Sequence, residues 1–354
     1  MGERILMKGN EVIAEAAIRA GCRYFFGYPI TPQNEIPEYL SWRMPQVGGS
    51  FVQAESEVAA INMVYGAAGA GGRVMTSSSG PGISLKQEGI SFLAGAELPA
   101  VIVNIMRCGP GLGGIQPSQS DYFQAVKGGG HGDYRLVVLA PASVQEAYDL
   151  VIEAFDIADI YRNPVMILGD GILGQMMEPV EFREIKLRDL PCKDWITNGR
   201  KNHGGKKNII NSLFLDPPIF EQHNLKLQKK YKDISASEQR AEIIDCEDAD
   251  LVIVAYGSTA RIAKTAIADL RHKGLKVGLF RLISLWPFPS DLLESLISKA
   301  KGFLAVEMSA GQMIEDLRLC VEGRKPVHFY GRMGGMVPTP EEIAKKVAEI
   351  INGW

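Results

Sequence analysis

Short apolar runs that do not alternate recur along this chain: Tyr24-Phe25-Phe26-Gly27, Arg73-Val74-Met75-Thr76-Ser77, Ala100-Val101-Ile102-Val103-Asn104-Ile105-Met106, Leu136-Val137-Val138-Leu139 and Pro164-Val165-Met166-Ile167-Leu168. A strand with one wet face alternates apolar and polar residues, so unbroken runs mark strands covered on both sides. Covering both sides takes a mainly parallel sheet between layers of helices, an α/β fold. Between the last two runs Ser143-x-x-Glu146 forms a capping box, and Val144, Ala147, Tyr148, Val151, Ala154, Phe155 and Ala158 follow at helical spacing. The predicted helix lies on the sheet.

From about Lys186 to Ser237 this rhythm fails, broken by Asn198-Gly199, Gly204-Gly205 and Pro217-Pro218, and Arg200, Lys201, Lys206 and Lys207 make a basic patch. The patch reads either as an ordinary solvated loop or as a surface that steers an anionic group such as a coenzyme phosphate. The α/β rhythm then resumes with Asp250-Leu251-Val252-Ile253-Val254-Ala255-Tyr256, a helix capped by Ser258 that stops at Gly274, strands at 275–280 and 303–307, and a helix at 341–351. A length of 354 residues suits two such domains. The expected organisation is an α/β domain over 1–185, an irregular basic connection over 186–237, and a second, smaller α/β domain over 238–354.

With 38 Lys+Arg against 41 Asp+Glu, the net charge of −3 gives no field that would gather nucleic acid or anionic lipid, so neither is an expected partner. No apolar run approaches the ~18 residues of a membrane span, and the first residues lack a leader pattern, so a cytoplasmic location is expected. The five cysteines are widely spaced with no C-x-x-C and no pairing with histidine at zinc spacing. No metal site and no cluster is expected in this chain.

Ligands of open parallel sheets bind beyond the carboxyl ends of the strands, which singles out four segments. In Tyr28-Pro29-Ile30-Thr31-Pro32 two prolines stiffen a turn that presents Thr31, either to a ligand or as the cap of the next helix. In Gln53-Ala54-Glu55-Ser56-Glu57 two acids open a small-residue helix; each reads as an acid at the helix dipole, and Glu57, followed by Val58, Ala59, Ala60 and Ile61, also as a desolvated proton handler. Thr76 is followed by Ser77, Ser78, Ser79, Gly80, Pro81 and Gly82, where glycines and hydroxyls let backbone approach a ligand closely. Arg107, at the end of a buried strand, offers a guanidinium fork to a carboxylate, or else forms an ion pair with a neighbouring acid. The glycines after it match G-x-G-x-x-G, but Ile115-Gln116-Pro117-Ser118-Gln119 is loop rather than helix, so a dinucleotide site is not expected.

In this order, the four segments resemble the alpha-type subunit of the 2-oxoacid:ferredoxin oxidoreductases, which use thiamine diphosphate. The resemblance runs along nearly the whole chain and implies a pyrimidine-binding-type domain with a parallel sheet, followed by a transketolase C-terminal-like domain that carries Gly257-Ser258-Thr259 after its first strand. The Gly-Pro-Gly-Leu-Gly-Gly-Ile after Arg107 and the Gly130-His131-Gly132-Asp133 segment are most similar to the branched-chain type, acting on 3-methyl-2-oxobutanoate, with the 2-oxoglutarate type close behind. By resemblance Thr31 and Arg107 bind the 2-oxoacid, Arg107 through its carboxylate. Glu57 rather than Glu55 is the catalytic glutamate that favours the imino tautomer of the cofactor. Ile30, Ser79, Gly80 and Gly82 join Glu57 around the pyrimidine. His131 is either a further donor near the site or an ordinary loop histidine. Gly169-Asp170-Gly171 with Asn198 imitates the metal-diphosphate motif of thiamine enzymes, but Asn198 lies in the irregular connection, so Asp170 is read as a turn residue.

The implied reaction is oxidative decarboxylation of a 2-oxoacid to acyl-CoA and CO2, with coenzyme A as co-substrate and electrons passed to ferredoxin. The resemblance supplies the missing parts from partners: a beta-type subunit that binds the diphosphate and Mg2+, a gamma-type subunit, and a ferredoxin-like subunit with iron–sulfur clusters. Self-association is also expected, and the chain alone should be inactive. Two rivals remain at this level. One is a transketolase or dehydrogenase E1-type subunit, which would hand the acyl group to sugar or lipoamide. The other is a non-catalytic assembly subunit.

Overall fold

The computed structural model describes residues 4–185, 188–200 and 204–354, so Lys186 and Lys201 lie outside it. The chain begins β1 (Arg4–Lys8), α1 (Gly9–Arg19), β2 (Tyr24–Gly27), α2 (Glu35–Gln46), β3 (Ser50–Gln53), α3 (Glu57–Gly69), β4 (Val74–Ser78) and α4 (Pro81–Gly95). It continues through β5 (Ala100–Met106), α5 (Tyr122–Val126), β6 (Val137–Leu139), α6 (Val144–Tyr161), β7 (Pro164–Asp170), α7 (Gly171–Gln175) and β8 (Met177–Glu181). After α8 (Pro217–Ser237) come β9 (Ala241–Ile244), β10 (Leu251–Tyr256), α9 (Gly257–His272), β11 (Val277–Leu282), β12 (Ser284–Trp286) and α10 (Ser290–Ile297). The chain closes with β13 (Gly302–Glu307), α11 (Met313–Val321), β14 (Val327–Gly331) and α12 (Pro340–Asn352).

The five apolar runs of the first domain become β2, β4, β5, β6 and β7 of one sheet, whose order is β12-β6-β7-β5-β4-β2-β3. All pairings from β2 to β7 are parallel, and β4, β5 and β7 are buried along their whole lengths: their apolar residues face helices on both sides, and the polar ones, Thr76, Ser77, Ser78, Asn104 and Asp170, lie toward the carboxyl ends. A second sheet, β14-β13-β10-β11-β9, is parallel except at β9, and β1 pairs with β8 in a separate antiparallel ribbon. One strand crosses between the units: β12, which follows β11 of the second sheet, pairs antiparallel with β6 and closes the edge of the first. Among the described residues no helix is long and apolar enough to cross a membrane.

Three local expectations change. Residues 217–237, expected to be irregular, form the helix α8. Pro217 and Pro218 fill its first turn, where a missing N–H costs nothing, and only Leu227, Tyr231 and Ile234 are buried, a stripe too narrow to stand out in the sequence. Ser143 does cap α6, accepting from Glu146 N at 3.1 Å, but Glu146 bonds Ala142 N and forms a two-pronged pair with Arg281 instead of closing the box. Ser258 does not cap α9; it lies in the first turn and donates its hydroxyl to Asp170 at 2.8 Å. Both substitutions of partner have one cause, because the second α/β unit packs against the first and offers charged and polar groups that no local pattern reveals.

This contact also positions the segment after Arg107. Gln119 donates to Tyr256 O at 2.9 Å and accepts from Thr259 and Met308 N at 2.7 and 3.0 Å, and its own N–H reaches Met308 O. The loop between Arg107 and α5 is thus fastened to the ends of β10 and β13.

Candidate active site

Since β2 to β7 run parallel, the segments after β2, β3, β4, β5 and β7 share one end of the sheet. At the end of β4 the chain turns through Gly80, whose φ of +43° only glycine adopts without strain, and Pro81 starts α4. A Cβ on Gly82 would stand 2.2 Å from Ser78 Oγ and 2.7 Å from Glu57 Oε1, so no other residue fits there. Thr76, Ser77, Ser78 and Ser79 are fully buried. Ser77 donates to Gln33 Oε1 at 2.5 Å, whereas Ser78 Oγ, Ser79 Oγ and Gln33 Nε2 are buried without a hydrogen-bond partner among the described residues. Such atoms are costly unless a ligand satisfies them.

Glu57 opens α3, but the cap is Ser56, whose hydroxyl accepts from Ala59 N at 3.2 Å. The carboxyl group of Glu57 is therefore released from the helix start. It is 6% exposed and makes no hydrogen bond among the described residues, while Glu55 lies in solvent. One turn beyond Gly82, on the same face of α4, Lys86 is 0% exposed and donates to Thr76 Oγ1 at 2.7 Å and Ser77 O at 2.9 Å. Burial pushes its ammonium down to about 7, with the charge of Glu57 opposing. Sequence reasoning missed Lys86; α4 carries two charges, Lys86 and Glu88, and nothing local shows that the first is buried and the second exposed.

Arg107 flanks the same turn, its Cγ 3.5 Å from where a Cβ of Gly80 would lie. It is 8% exposed and pairs with no carboxylate among the described residues. Instead Nη1 donates to Thr31 O at 3.1 Å and Nη2 to Leu112 O at 2.9 Å, while Nε is buried without a partner. Of five N–H groups two are spent on backbone, and one side of the guanidinium remains available. Asp121, nearby, is pushed up by burial, against bonds from Asn104 Nδ2 at 3.0 Å and from Gly80 N–H and against the charge of Arg107. Thr31 is not a helix cap: its hydroxyl oxygen accepts from Asn34 at 3.3 Å, and its carbonyl ties the turn to Arg107. A cavity of about 580 Å³ opens between the two units beside Arg107, Gly80 and Asp121, and Met308, Ser309 and Met333 also line it.

Other predicted residues lie elsewhere. Ile30 is half-buried in the turn, its carbonyl accepting from Gln33 N at 3.1 Å. His131 is exposed and lines a separate depression with Phe92, Tyr134 and His223. Both oxygens of Asp170 are engaged, by Ile172 N and Leu173 N of α7 and by Ser258, so it joins the two units. Arg200, Lys206 and Lys207 are exposed.

Strand ends that hold a buried, unbonded carboxyl group against a glycine cradle mark a small-molecule site at the carboxyl end of an open parallel sheet. Residues 15–244 match the family described as pyruvate flavodoxin/ferredoxin oxidoreductase, thiamine diphosphate-binding, and residues 249–343 match pyruvate:ferredoxin oxidoreductase core domain II. The chain belongs to this oxidoreductase family. It is 53% identical over 345 residues, 98% of this chain and 97% of the relative, to ketoisovalerate oxidoreductase subunit VorB of Methanothermobacter thermautotrophicus. A structure of 2-oxoglutarate:ferredoxin oxidoreductase from Magnetococcus marinus, with 2-oxoglutarate, coenzyme A and succinyl-CoA bound, matches 99% of this chain and 66% of that longer chain at 28% identity and a TM-score of 0.90. A split-gene transketolase, in an inactive tetramer, shares the fold at a TM-score of 0.60 and 14% identity over 99% of both chains.

The residues fit the pyrimidine half of thiamine diphosphate: a carboxyl group without a partner, a cradle that a Cβ would fill, and orphaned hydroxyls on the same turn. Gly82→Ala is expected to weaken thiamine diphosphate binding to the assembled enzyme by about tenfold or more, in line with the ~1–3 kcal/mol of an overpacked site. Calorimetric titration of the complex measures it.

Proposed function

We propose that this chain is the alpha-type subunit of a branched-chain 2-oxoacid:ferredoxin oxidoreductase, turning 3-methyl-2-oxobutanoate and coenzyme A into an acyl-CoA and CO2 in the cytoplasm. The observation that carries it is the placing of a buried, unbonded Glu57 and an unpaired side of Arg107 on either side of the 79–82 turn. Glu57 would hold the proton of the aminopyrimidine, shielded from water as general acid–base work requires. Arg107 would take the substrate carboxylate on its free side, and the Thr31 hydroxyl would orient the 2-oxo group. Ile30, Ser79, Gly80 and Gly82 would form the walls around the pyrimidine. When bound, thiamine diphosphate supplies the carbon nucleophile and the electron sink of the decarboxylation. A beta-type subunit holding the diphosphate and Mg2+, a gamma-type subunit and a ferredoxin-like subunit with iron–sulfur clusters would complete the enzyme, with ferredoxin as acceptor.

The cavity beside Arg107 favours an apolar side chain. Arg107 is its only cation and Asp121 its only acid among the lining residues, so the second carboxylate of 2-oxoglutarate would find no counter-charge and would face Asp121. The test is the complex assembled anaerobically with its partners and assayed with 2-oxoacids, coenzyme A and viologen. We expect kcat/KM for 3-methyl-2-oxobutanoate to exceed that for 2-oxoglutarate by about 10²-fold, the scale of an unmatched charge. The reverse order overturns the substrate assignment, and transfer to lipoamide without viologen reduction overturns the reaction class.

A further inference from the structure

The cavity beside Arg107 takes a different wall from each unit. The first unit contributes glycines, serines, two prolines, Cys108, Arg107 and Asp121. The second contributes residues just past the ends of β13 and β14, and two of these, Met308 and Met333, are the only long apolar side chains among the described residues that line the cavity. It thus lies between the carboxyl ends of two parallel sheets, where such sheets bind ligands. Both methionines are fastened in place. Met308 is 1% exposed; its N–H donates to Gln119 Oε1 at 3.0 Å, and its carbonyl accepts from Gln119 N at 2.9 Å and from Ser118 Oγ at 3.2 Å. Gln312, four residues on, donates to Ser120 O at 2.7 Å, so the backbone of Met308 cannot withdraw without opening the joint between the units. Met333 is 60% exposed, but the glycines after it press onto the loop that follows Arg107. A Cβ on Gly335, where φ is +88°, would stand 2.4 Å from Gln116 Cβ and 3.5 Å from Cys108 Sγ.

We propose that Met308 and Met333 determine which 2-oxoacid side chain the site accepts, Met308 as the buried wall and Met333 as the outer wall of a pocket for a branched aliphatic chain. This rests on the role given to Arg107 above: with the substrate carboxylate on the free side of the guanidinium, the rest of the acid enters the cavity that Arg107 lines. A thioether side chain is apolar, unbranched and polarisable, so it follows the outline of an aliphatic chain and gives a second carboxylate no partner. Shortening such a wall changes the choice among substrates rather than the chemistry, because the reacting end of the acid stays at Thr31 and Arg107. The first unit holds that end, and the second selects the tail.

The experiment compares kcat/KM of the anaerobically assembled complex for pyruvate, 3-methyl-2-oxobutanoate and 4-methyl-2-oxopentanoate, with coenzyme A and viologen. In Met308→Ala the ratio of 4-methyl-2-oxopentanoate to 3-methyl-2-oxobutanoate should rise about tenfold, the lower end of the effect of one methylene in an apolar pocket. Met333→Ala should move it in the same direction by less, and Met308→Leu, which fills a similar volume, should keep the unaltered order. An unchanged ratio in both alanine variants overturns the proposal. So does an equal loss on all three acids, which is what damage to the joint between the units would produce. Truncating the exposed Met333 leaves the fold intact, so if Met308→Ala does not assemble, an unmoved ratio in Met333→Ala is decisive against it. The two readings fail separately. An unaltered complex that prefers 2-oxoglutarate refutes the substrate assignment, whereas the methionines are judged on the shift among the three apolar acids. Calorimetric titration of the complex free of thiamine diphosphate gives the same ratios from dissociation constants, without turnover; binding of none of the three overturns both.

Discussion

Glu57→Gln in the assembled enzyme should slow exchange of the thiazolium proton by about 10²-fold or more, the usual loss when a positioned acid–base group is removed. Glutamine keeps the size of the side chain and part of its hydrogen bonding, so the cradle at Gly82 is undisturbed, but it cannot carry the proton. Stability should move little. The glutamate accepts no hydrogen bond and Ser56 already caps α3, so the ~1 kcal/mol of a lost cap does not arise. Glu55→Gln is the internal control. It alters an exposed side chain and should leave both exchange and melting unchanged. Normal exchange in the Glu57 variant, or slow exchange confined to the Glu55 variant, would reverse the assignment.

Arg107→Lys carries the second large effect. Lysine keeps the charge but has no fork, so it loses the side-on pair with a carboxylate and cannot at the same time reach Thr31 O and Leu112 O. Loss of one charge-assisted pair, ~1.5–3 kcal/mol, should raise the Michaelis constant for the 2-oxoacid by about 10–10²-fold. The two carbonyl bonds make some loss of stability unavoidable, on the order of 1 kcal/mol each. The kinetic change is therefore the deciding measurement. A variant that melts earlier yet keeps its Michaelis constant would show Arg107 to be a fastener of loops and nothing more.

The parallel sheet was legible because burial on both faces leaves its record in consecutive apolar residues such as Val101-Ile102-Val103, where a strand with one wet face would alternate. The burial contrast between Glu57 and Glu55 was partly legible, since Ala60, Ile61 and Val64 lie at helical spacing on the buried face of α3 that Glu57 shares, although Val58, directly after it, is exposed. What could not be read was anything decided by a distant partner. Asp170 gives no local hint that Ser258 will bind it, nor Glu146 that it will meet Arg281. Arg107 read either as a fork for a substrate carboxylate or as half of an ion pair; no local pattern showed that two backbone carbonyls would hold it. Lys86 shows the same limit from the other side. Of the two charges on α4 nothing local tells which is buried, because the hydroxyl and the carbonyl that take the Lys86 ammonium stand on β4.

The crossing of β12 has a consequence for how the molecule is made. During synthesis the strand that completes the first sheet emerges more than a hundred residues after β7, so β6 waits with one edge unpaired. Until residues 284–286 arrive, that edge is open to any other extended chain nearby. A gene divided anywhere between β8 and β12 would release an amino-terminal product with the same open edge. The two halves of this protein are thus distinct in architecture but share one sheet edge, and the first half expressed alone would leave β6 without the three residues that cover it.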